Sequence, residues 1–181
     1  MNIKVLCDSM CDIPEEIKEK DYLEIIPLTI NIDGKEYKDG VDFTKEEFYH
    51  ILKTSENLPK TSQATYMQFK ESFEKYVSEG YDVICFTGSS KASGTYQSAT
   101  MAKNDVKGNI YIFDTLFLSL GSGQYVIKAC ELIEETDLSA KEIVDKLEEI
   151  RGSVNLFFVP FTLDYLKESG RLPSVVSFVG N

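Results

Sequence analysis

The stretch Val83–Thr100, VICFTGSSKASGTYQSAT, runs from four bulky apolar residues into a crowd of small hydroxyl side chains. VICF reads as a short strand buried on both faces. Thr87 onward then sets Gly88 and Gly94 among Ser89, Ser90, Ser93 and Thr95. Such residues fill neither a strand core nor a helix face, so the segment predicts a strand, a loop and a helix through about Ala102. A turn of that kind aims free backbone N–H groups at whatever lies above the strand end. The serines and threonine add neutral donors, and the glycines let the backbone pass close to a ligand or take unusual angles. A carboxylate, a phosphate or another strongly polar head group suits such a loop. A serine-capped helix after a tight turn has the same composition.

Outward from this stretch, apolar strands alternate with amphipathic helices. Asn2–Asp8 and Asn109–Asp114 are further short apolar strands. Leu23–Asp33 predicts one strand, Asp33-Gly34 a tight hairpin turn and Lys35–Gly40 the return strand. Asp12, Pro14 and Glu15 have the form of a helix start with a capping box, as do Thr44 and Glu47. Phe48, Ile51 and Leu52 share one face of that second helix, and Phe69, Phe73, Tyr76 and Val77 share a face of a third that stops at Gly80. Leu58–Ala64 reads as a loop. Two more helical segments span 122–135 and 138–152, then come the apolar run Val154–Phe161 and a helix closed by Gly170. This order predicts an α/β fold: an open, mostly parallel sheet with helices on both faces, one domain over 1–153. Ligands of such sheets sit at the carboxyl ends of the strands. The loops DSMCD, TGSSKASGT and DTLFLSLGSG, all rich in Ser, Thr, Gly and Asp, would then converge on one site.

Composition narrows the function classes. The chain has 181 residues, 43% hydrophobic and 27% charged, the balance of an ordinary globular protein with a real core. No apolar run approaches the length of a membrane span and no leader pattern opens the chain, so a cytoplasmic location is expected. A formal net charge of −11 without a basic patch argues against nucleic acid as a partner. Cys7 and Cys85 lie inside apolar strands, where thiols behave as small hydrophobes. Cys7 and Cys11 could pair for redox or metal chemistry, but their spacing fits no zinc pattern and the chain holds a single histidine, so no metal site is expected.

Nucleophilic chemistry is the rival to simple binding. Gly88-Ser89-Ser90-Lys91-Ala92 nearly matches the G-x-S-x-G elbow of acyl hydrolases, with Ala92 for the last glycine. That family needs a histidine after the serine, and His50 precedes it. Lys91 directly follows Ser90, and adjacent residues on a helix do not face each other. A serine without a base is a weak nucleophile. Nucleotide-binding signatures are missing as well.

Several segments together resemble the DegV family of bacterial fatty-acid-binding proteins. DSMCDIP (Asp8–Pro14) is similar to its opening D-S-T-x-D-L-P signature, and Ile26–Asp42 to the segment that follows. KTSQA (Lys60–Ala64) matches a T-S-Q loop, and SSKASGTYQSA (Ser89–Ala99) an S-S-x-L-S-G-T-Y-Q-S-A motif. Phe113–Gly123 and Thr162–Arg171 complete an ordered set along nearly the whole chain. The resemblance implies a carrier rather than an enzyme, holding one long-chain fatty acid such as palmitate between two domains, with no cofactor. It implies presentation of the carboxylate to a fatty acid kinase catalytic subunit for phospholipid synthesis, and it allows transient contact with a membrane. Carried over by motif, Thr61 and Ser93 would hydrogen-bond the carboxylate, Gly94 would give close backbone approach, and Arg171 would lie near the carboxylate end. Asp8, Ser9, Ser62, Ser90, Thr95 and Ser119 would support these loops. The sequence departs from the pattern at Met10-Cys11, at Ala92 and at Glu168-Ser169. Family chains continue beyond Asn181, so residues 154–181 would be the incomplete start of a second, α+β domain. The alternatives are a serine-dependent acyl hydrolase using Ser90 or Ser93, and a dimerising module built on VNLFFVPF and SVVSFVG.

Overall fold

A computed structural model describes residues 2–55, 57–160 and 162–170, apart from the side chain of Tyr165. Its centre is a four-stranded parallel sheet of β1 (Ile3–Asp8), β2 (Leu23–Ile26), β6 (Asp82–Thr87) and β7 (Ile110–Asp114), in the order β2-β1-β6-β7. Every residue of β1 is buried, which is why its sequence is an almost unbroken apolar run rather than an alternation. The strand period sends successive side chains to opposite faces. Val5, Cys7, Ile84, Phe86 and Phe113 meet α5 (Leu120–Glu135) and α6 (Ala140–Ile150) through Tyr125, Val126, Ile143 and Leu147. Leu6, Val83, Cys85 and Ile110 face α3 (Tyr66–Ser78) and α4 (Thr95–Asp105) through Phe69, Phe73, Ala99 and Ala102. Each large side chain so buried contributes roughly 1.5–3 kcal/mol. The expected open parallel sheet with helices on both faces is what the chain forms.

A second, three-stranded antiparallel sheet, β4-β3-β5, stands beside the first: β3 is Thr29–Ile32, β4 Lys35–Lys38 and β5 Lys60–Ser62. The hairpin forms at Asp33 and Gly34, whose φ angles of 49° and 86° suit a primed turn. Two sequence expectations fail here. The single strand over Leu23–Asp33 is two strands in two sheets, because Pro27, lacking an N–H, interrupts the ladder between β2 and β3. Leu58–Ala64 is not all loop: Lys60–Ser62 pairs with β3, with Thr61 opposite Ile30. All three residues of β5 are exposed, so no apolar alternation announced it.

The capping box at Thr44 and Glu47 forms at the head of α2 (Lys45–Thr54). The one expected at Asp12 does not: α1 (Glu15–Lys18) starts behind Pro14 without a side-chain cap, because the Asp12 carboxylate accepts from Ser119 Oγ at 2.6 Å. After the turn at Arg151–Ser153, the apolar run 154–160 forms no strand; Phe157 and Val159 are 90% and 93% exposed. α7 (Asp164–Glu168) follows, and Gly170 closes it at a φ of 70°.

Candidate functional site

The sheet's strand order reverses at β1, which connects onward to β2 on one side and pairs with β6 on the other. The crevice between the carboxyl ends of β1 and β6 is therefore the expected ligand position. Asp8 is the last residue of β1. Its carboxylate is fully buried and accepts from the Gly88 amide at 2.8 Å and the Met10 amide at 3.0 Å. Burial pushes its pKa up to about 6, and the hydrogen bonds from Gly88, Met10 and Cys11 pull the other way. Ser9 also turns to the backbone, with its Oγ accepting from the Leu28 amide at 3.1 Å. Asp8 and Ser9 thus tie strand ends together.

The hydroxyl loop after β6 divides its side chains. Ser89 is buried and its Oγ accepts from the Lys91 amide, while its own amide donates to the Phe117 carbonyl at 2.8 Å. Ser90 is exposed, with its amide donating to Asp114 Oδ1 at 3.1 Å. Ser93 is half-buried, and its Oγ lies 3.0 Å from Thr95 Oγ1 and accepts from the Thr95 amide at 3.3 Å. Gly94 is the N-cap of α4 and supplies no side-chain cap, so of the first-turn amides of that helix Thr95 turns instead to Ser93 Oγ. Its φ of −79° is ordinary, so the glycine is there for space.

The loop after β7 is the most strained of the three. Leu116 and Ser119 hold φ angles of 58° and 55°. Such angles cost of order 1–3 kcal/mol per non-glycine residue and persist only where surrounding bonds enforce them. Here they do. Asp114 Oδ1 accepts from the Leu116 amide, and the Ser119 amide donates to the Met10 carbonyl at 2.8 Å. Arg151, a residue without any sequence signal for this role, lays its guanidinium 4.3 Å from the Phe113 ring centroid and donates to the Asp114 carbonyl. Beneath them Thr115 Oγ1 bonds the Thr87 carbonyl at 2.8 Å and Ser122 Oγ at 2.9 Å. Gly123 brings the first turn of α5 onto the β1 loop, since a Cβ there would stand 1.9 Å from the Asp12 carbonyl oxygen.

The three loops expected to converge are thus joined by hydrogen bonds. Thr61 and Ser62 lie exposed on β5. Thr61 lines a cleft of about 780 Å³ with Lys60, Asn31, Glu168 and Ser169, so the T-S-Q strand and the segment leading to Arg171 face one space. Arg171 itself lies outside the described residues. Gln63, which sequence reasoning passed over, reaches from the end of β5 to α4 and donates from Nε2 to Ser98 Oγ at 2.9 Å.

His50 stands exposed on α2 beside Tyr37, Phe43 and Ile51, and the Ser90 and Ser93 contacts above do not involve it. The four cysteines are free and buried; the Cys7 contact and burial push the Cys11 thiol up, and burial raises Cys85 and takes Cys130 to about 11. Thiols so raised are poor nucleophiles. Among the described residues no cluster of three or more His, Cys, Asp or Glu could hold a metal ion, and no helix is long and apolar enough to cross a membrane.

A family model described as "Uncharacterised protein, DegV family" matches residues 2–181. The chain belongs to the DegV family. A DegV domain-containing protein of Caldanaerobacter subterraneus is 41% identical over 179 residues, which are 98% of this chain and 63% of that protein. Among solved structures, the DegV fatty acid binding protein of Bacillus subtilis is 34% identical, with a TM-score of 0.86 over 100% of this chain and 64% of its own. A stearic acid-binding protein of Eubacterium ventriosum is 31% identical, with a TM-score of 0.86 over 97% of this chain and 63% of its own. The chain therefore spans a little under two thirds of the length of these DegV relatives.

Proposed function

We propose that this chain carries the head-group half of a fatty-acid carrier. It binds a long-chain fatty acid such as palmitate, with the carboxylate at Thr61, Ser93 and the Gly94 backbone and with Arg171 nearby. Asp8, Ser9, Ser62, Ser90, Thr95 and Ser119 hold the loops in shape. The carrier presents the carboxylate to a fatty acid kinase subunit, acts in the cytoplasm and performs no catalysis itself. Residues 1–153 form the head-group domain, and 154–181 begin a second one.

The observation that carries this reading is the superposition of nearly the whole chain on proteins described as fatty-acid-binding, at more than 30% identity. Physical chemistry supports it. Neutral hydroxyls and helix amides hold a carboxylate without the tight ion pair that would resist its transfer to a phosphoryl donor. The loop after β7 exposes Leu116, Leu118 and Leu120 at 41%, 36% and 60%, and Leu118 reaches the Gly88 end of the hydroxyl loop, where an added Cβ would lie 3.1 Å from its Cδ2. Leu156 packs close by, because a Cβ on Gly121 would lie 3.1 Å from its Cδ2. A polar cradle next to exposed leucines matches a ligand with a charged head and a long tail. At ~0.8 kcal/mol per methylene, a buried palmitoyl chain contributes roughly 10 kcal/mol, against association costs of ~4–15 kcal/mol.

Native mass spectrometry of the purified chain, followed by denaturing extraction, tests the reading. A co-purifying mass in the long-chain fatty acid range supports it. A chain that stays empty when palmitate is added opposes it. The exposure of Phe157 and Phe158, at 90% and 71%, favours as a second reading an apolar interface between copies of the chain. A size-exclusion volume that shifts with concentration is its signature.

A further inference from the structure

β5 is an unusual platform for a ligand-contacting threonine. It is three residues long, exposed throughout, and paired with β3 alone. Ala64 anchors the following backbone in the core, but Thr61 lies three residues before that anchor. Something has to fix the edge of β5 against the α4 turn if Thr61 and Ser93 are to share one carboxylate.

We propose that Gln63 is the positioning residue that sets the spacing between Thr61 and Ser93, and that Gly94 is glycine to seat the Gln63 amide. The proposal rests on the carboxylate reading above. Gln63 Nε2 donates to Ser98 Oγ at 2.9 Å, and Ser98 is 95% buried in the first turn of α4, being only 5% exposed. The other end of the same amide occupies the space over Gly94: a Cβ added there would stand 1.8 Å from Gln63 Oε1 and 2.7 Å from Cδ. Gly94 has φ −79° and ψ 0°, angles open to any L-residue, so the backbone makes no demand for glycine. The demand comes from the side chain lying on it. One amide therefore bonds α4 one turn inside its start and rests on its N-cap, with Thr61 two residues back along the same chain. The family motifs T-S-Q and S-G-T meet at this contact.

The contact predicts a specific non-additivity. Gly94→Ala leaves the backbone unstrained and pushes the Gln63 amide off Ser98. Gln63→Ala removes the amide, after which an alanine at 94 has nothing to displace. In palmitate titrations of the purified chain, each single variant should weaken binding by about fivefold to tenfold, the worth of one hydrogen bond. The double variant should be no weaker than the worse single. Amide exchange in the first turn of α4 should rise in all three. Gln63→Glu supplies a readout that a purely structural role would not move. It keeps the shape of the clip and lets Ser98 donate, but sets a negative charge beside the ligand carboxylate. Its affinity relative to wild type should then fall as pH rises through the ordinary glutamate range near ~4.3.

Fold-changes that simply multiply in the double variant overturn the proposal, as does a Gln63→Glu ratio that ignores pH. The fatty-acid reading fails differently. It fails if the wild-type chain takes up no palmitate, or if Thr61→Ala and Ser93→Ala bind as well as wild type. Weakened binding in those two variants together with a multiplicative Gln63–Gly94 cycle would sink the clip alone.

Discussion

The loops after β1 and β6 stand at the same end of the sheet and draw on the same residue types, yet the first ties distant segments together and the second bonds mostly within itself. In Asp8–Pro14 the polar side chains turn inward or sideways: Asp8 to two backbone amides, Ser9 to Leu28, Asp12 to Ser119. In Thr87–Gly94 the buried Ser89 does similar work, whereas Ser90 stands exposed with its amide on Asp114, and the half-buried Ser93 bonds locally through its hydroxyl to the Thr95 hydroxyl and amide. A run of Ser, Asp and Gly therefore marks a place where backbone is gathered. Whether it also meets a ligand depends on how many of those groups the backbone has already used.

The difference can be broken first at the glycines. Gly123→Ala would drive a Cβ to within 1.9 Å of the Asp12 carbonyl, a backbone atom that cannot step aside, whereas Gly94→Ala meets the end of a flexible side chain. The first should cost roughly 3 kcal/mol or more, or about 10 °C in Tm, and the second only a few degrees, as thermal melts would show.

Asp8 gives the next largest effect. Its folded pKa of about 6 lies above the ordinary 3.8, so between those values the folded chain keeps a proton that the unfolded chain has released. Stability from this group is present below pH ~4 and is lost as pH rises toward 6, by an amount on the order of 3 kcal/mol. Urea midpoints measured from pH 4 to 7 should show that slope in wild type and not in Asp8→Asn, the other titrating groups cancelling in the difference.

The serines of the loop after β6 should behave the other way round. Ser93→Ala should weaken palmitate binding about tenfold while changing stability by ~1 kcal/mol or less, because its bonds are local. Ser90→Ala sharpens the contrast as the smallest effect. Its ordered group is the backbone amide, so stability should move by less than ~0.5 kcal/mol and palmitate affinity by less than about twofold. A Ser90 variant that lost binding while Ser93→Ala did not would reverse the assignment.

Much of this fold was readable before any coordinates, and the reasons are specific. VICF and IKVLCD lie in strands buried on both faces, NIYIFD is an apolar edge strand, and Phe69, Phe73 and Tyr76 recur at the helical period, so layers and faces followed. The small sheet was half hidden. Its hairpin announced itself through Asp33-Gly34, but Lys60–Ser62 is an exposed edge with no apolar residue, and its strand character comes from β3. Asp12 looked like a helix cap until Ser119, more than a hundred residues away, claimed its carboxylate. The apolar run at 154–160 has the composition of a strand but forms none, with Val154 against the core and Phe157–Val159 in the open. The site was legible as motifs and not as mechanics. Nothing in the letters says that Leu116 and Ser119 take positive φ, that Arg151 braces Asp114, or that Gly94 is small to admit Gln63.

On the proposed function, Thr61 and Ser93 hold a fatty acid by its carboxylate. Carbon NMR of palmitate labelled at the carboxyl carbon, bound to the purified chain, reads that contact directly. The account predicts a bound carboxyl resonance distinct from free palmitate, displaced in Ser93→Ala and again in Thr61→Ala. A bound resonance that both variants leave unmoved would contradict it and send the head group to another part of the molecule.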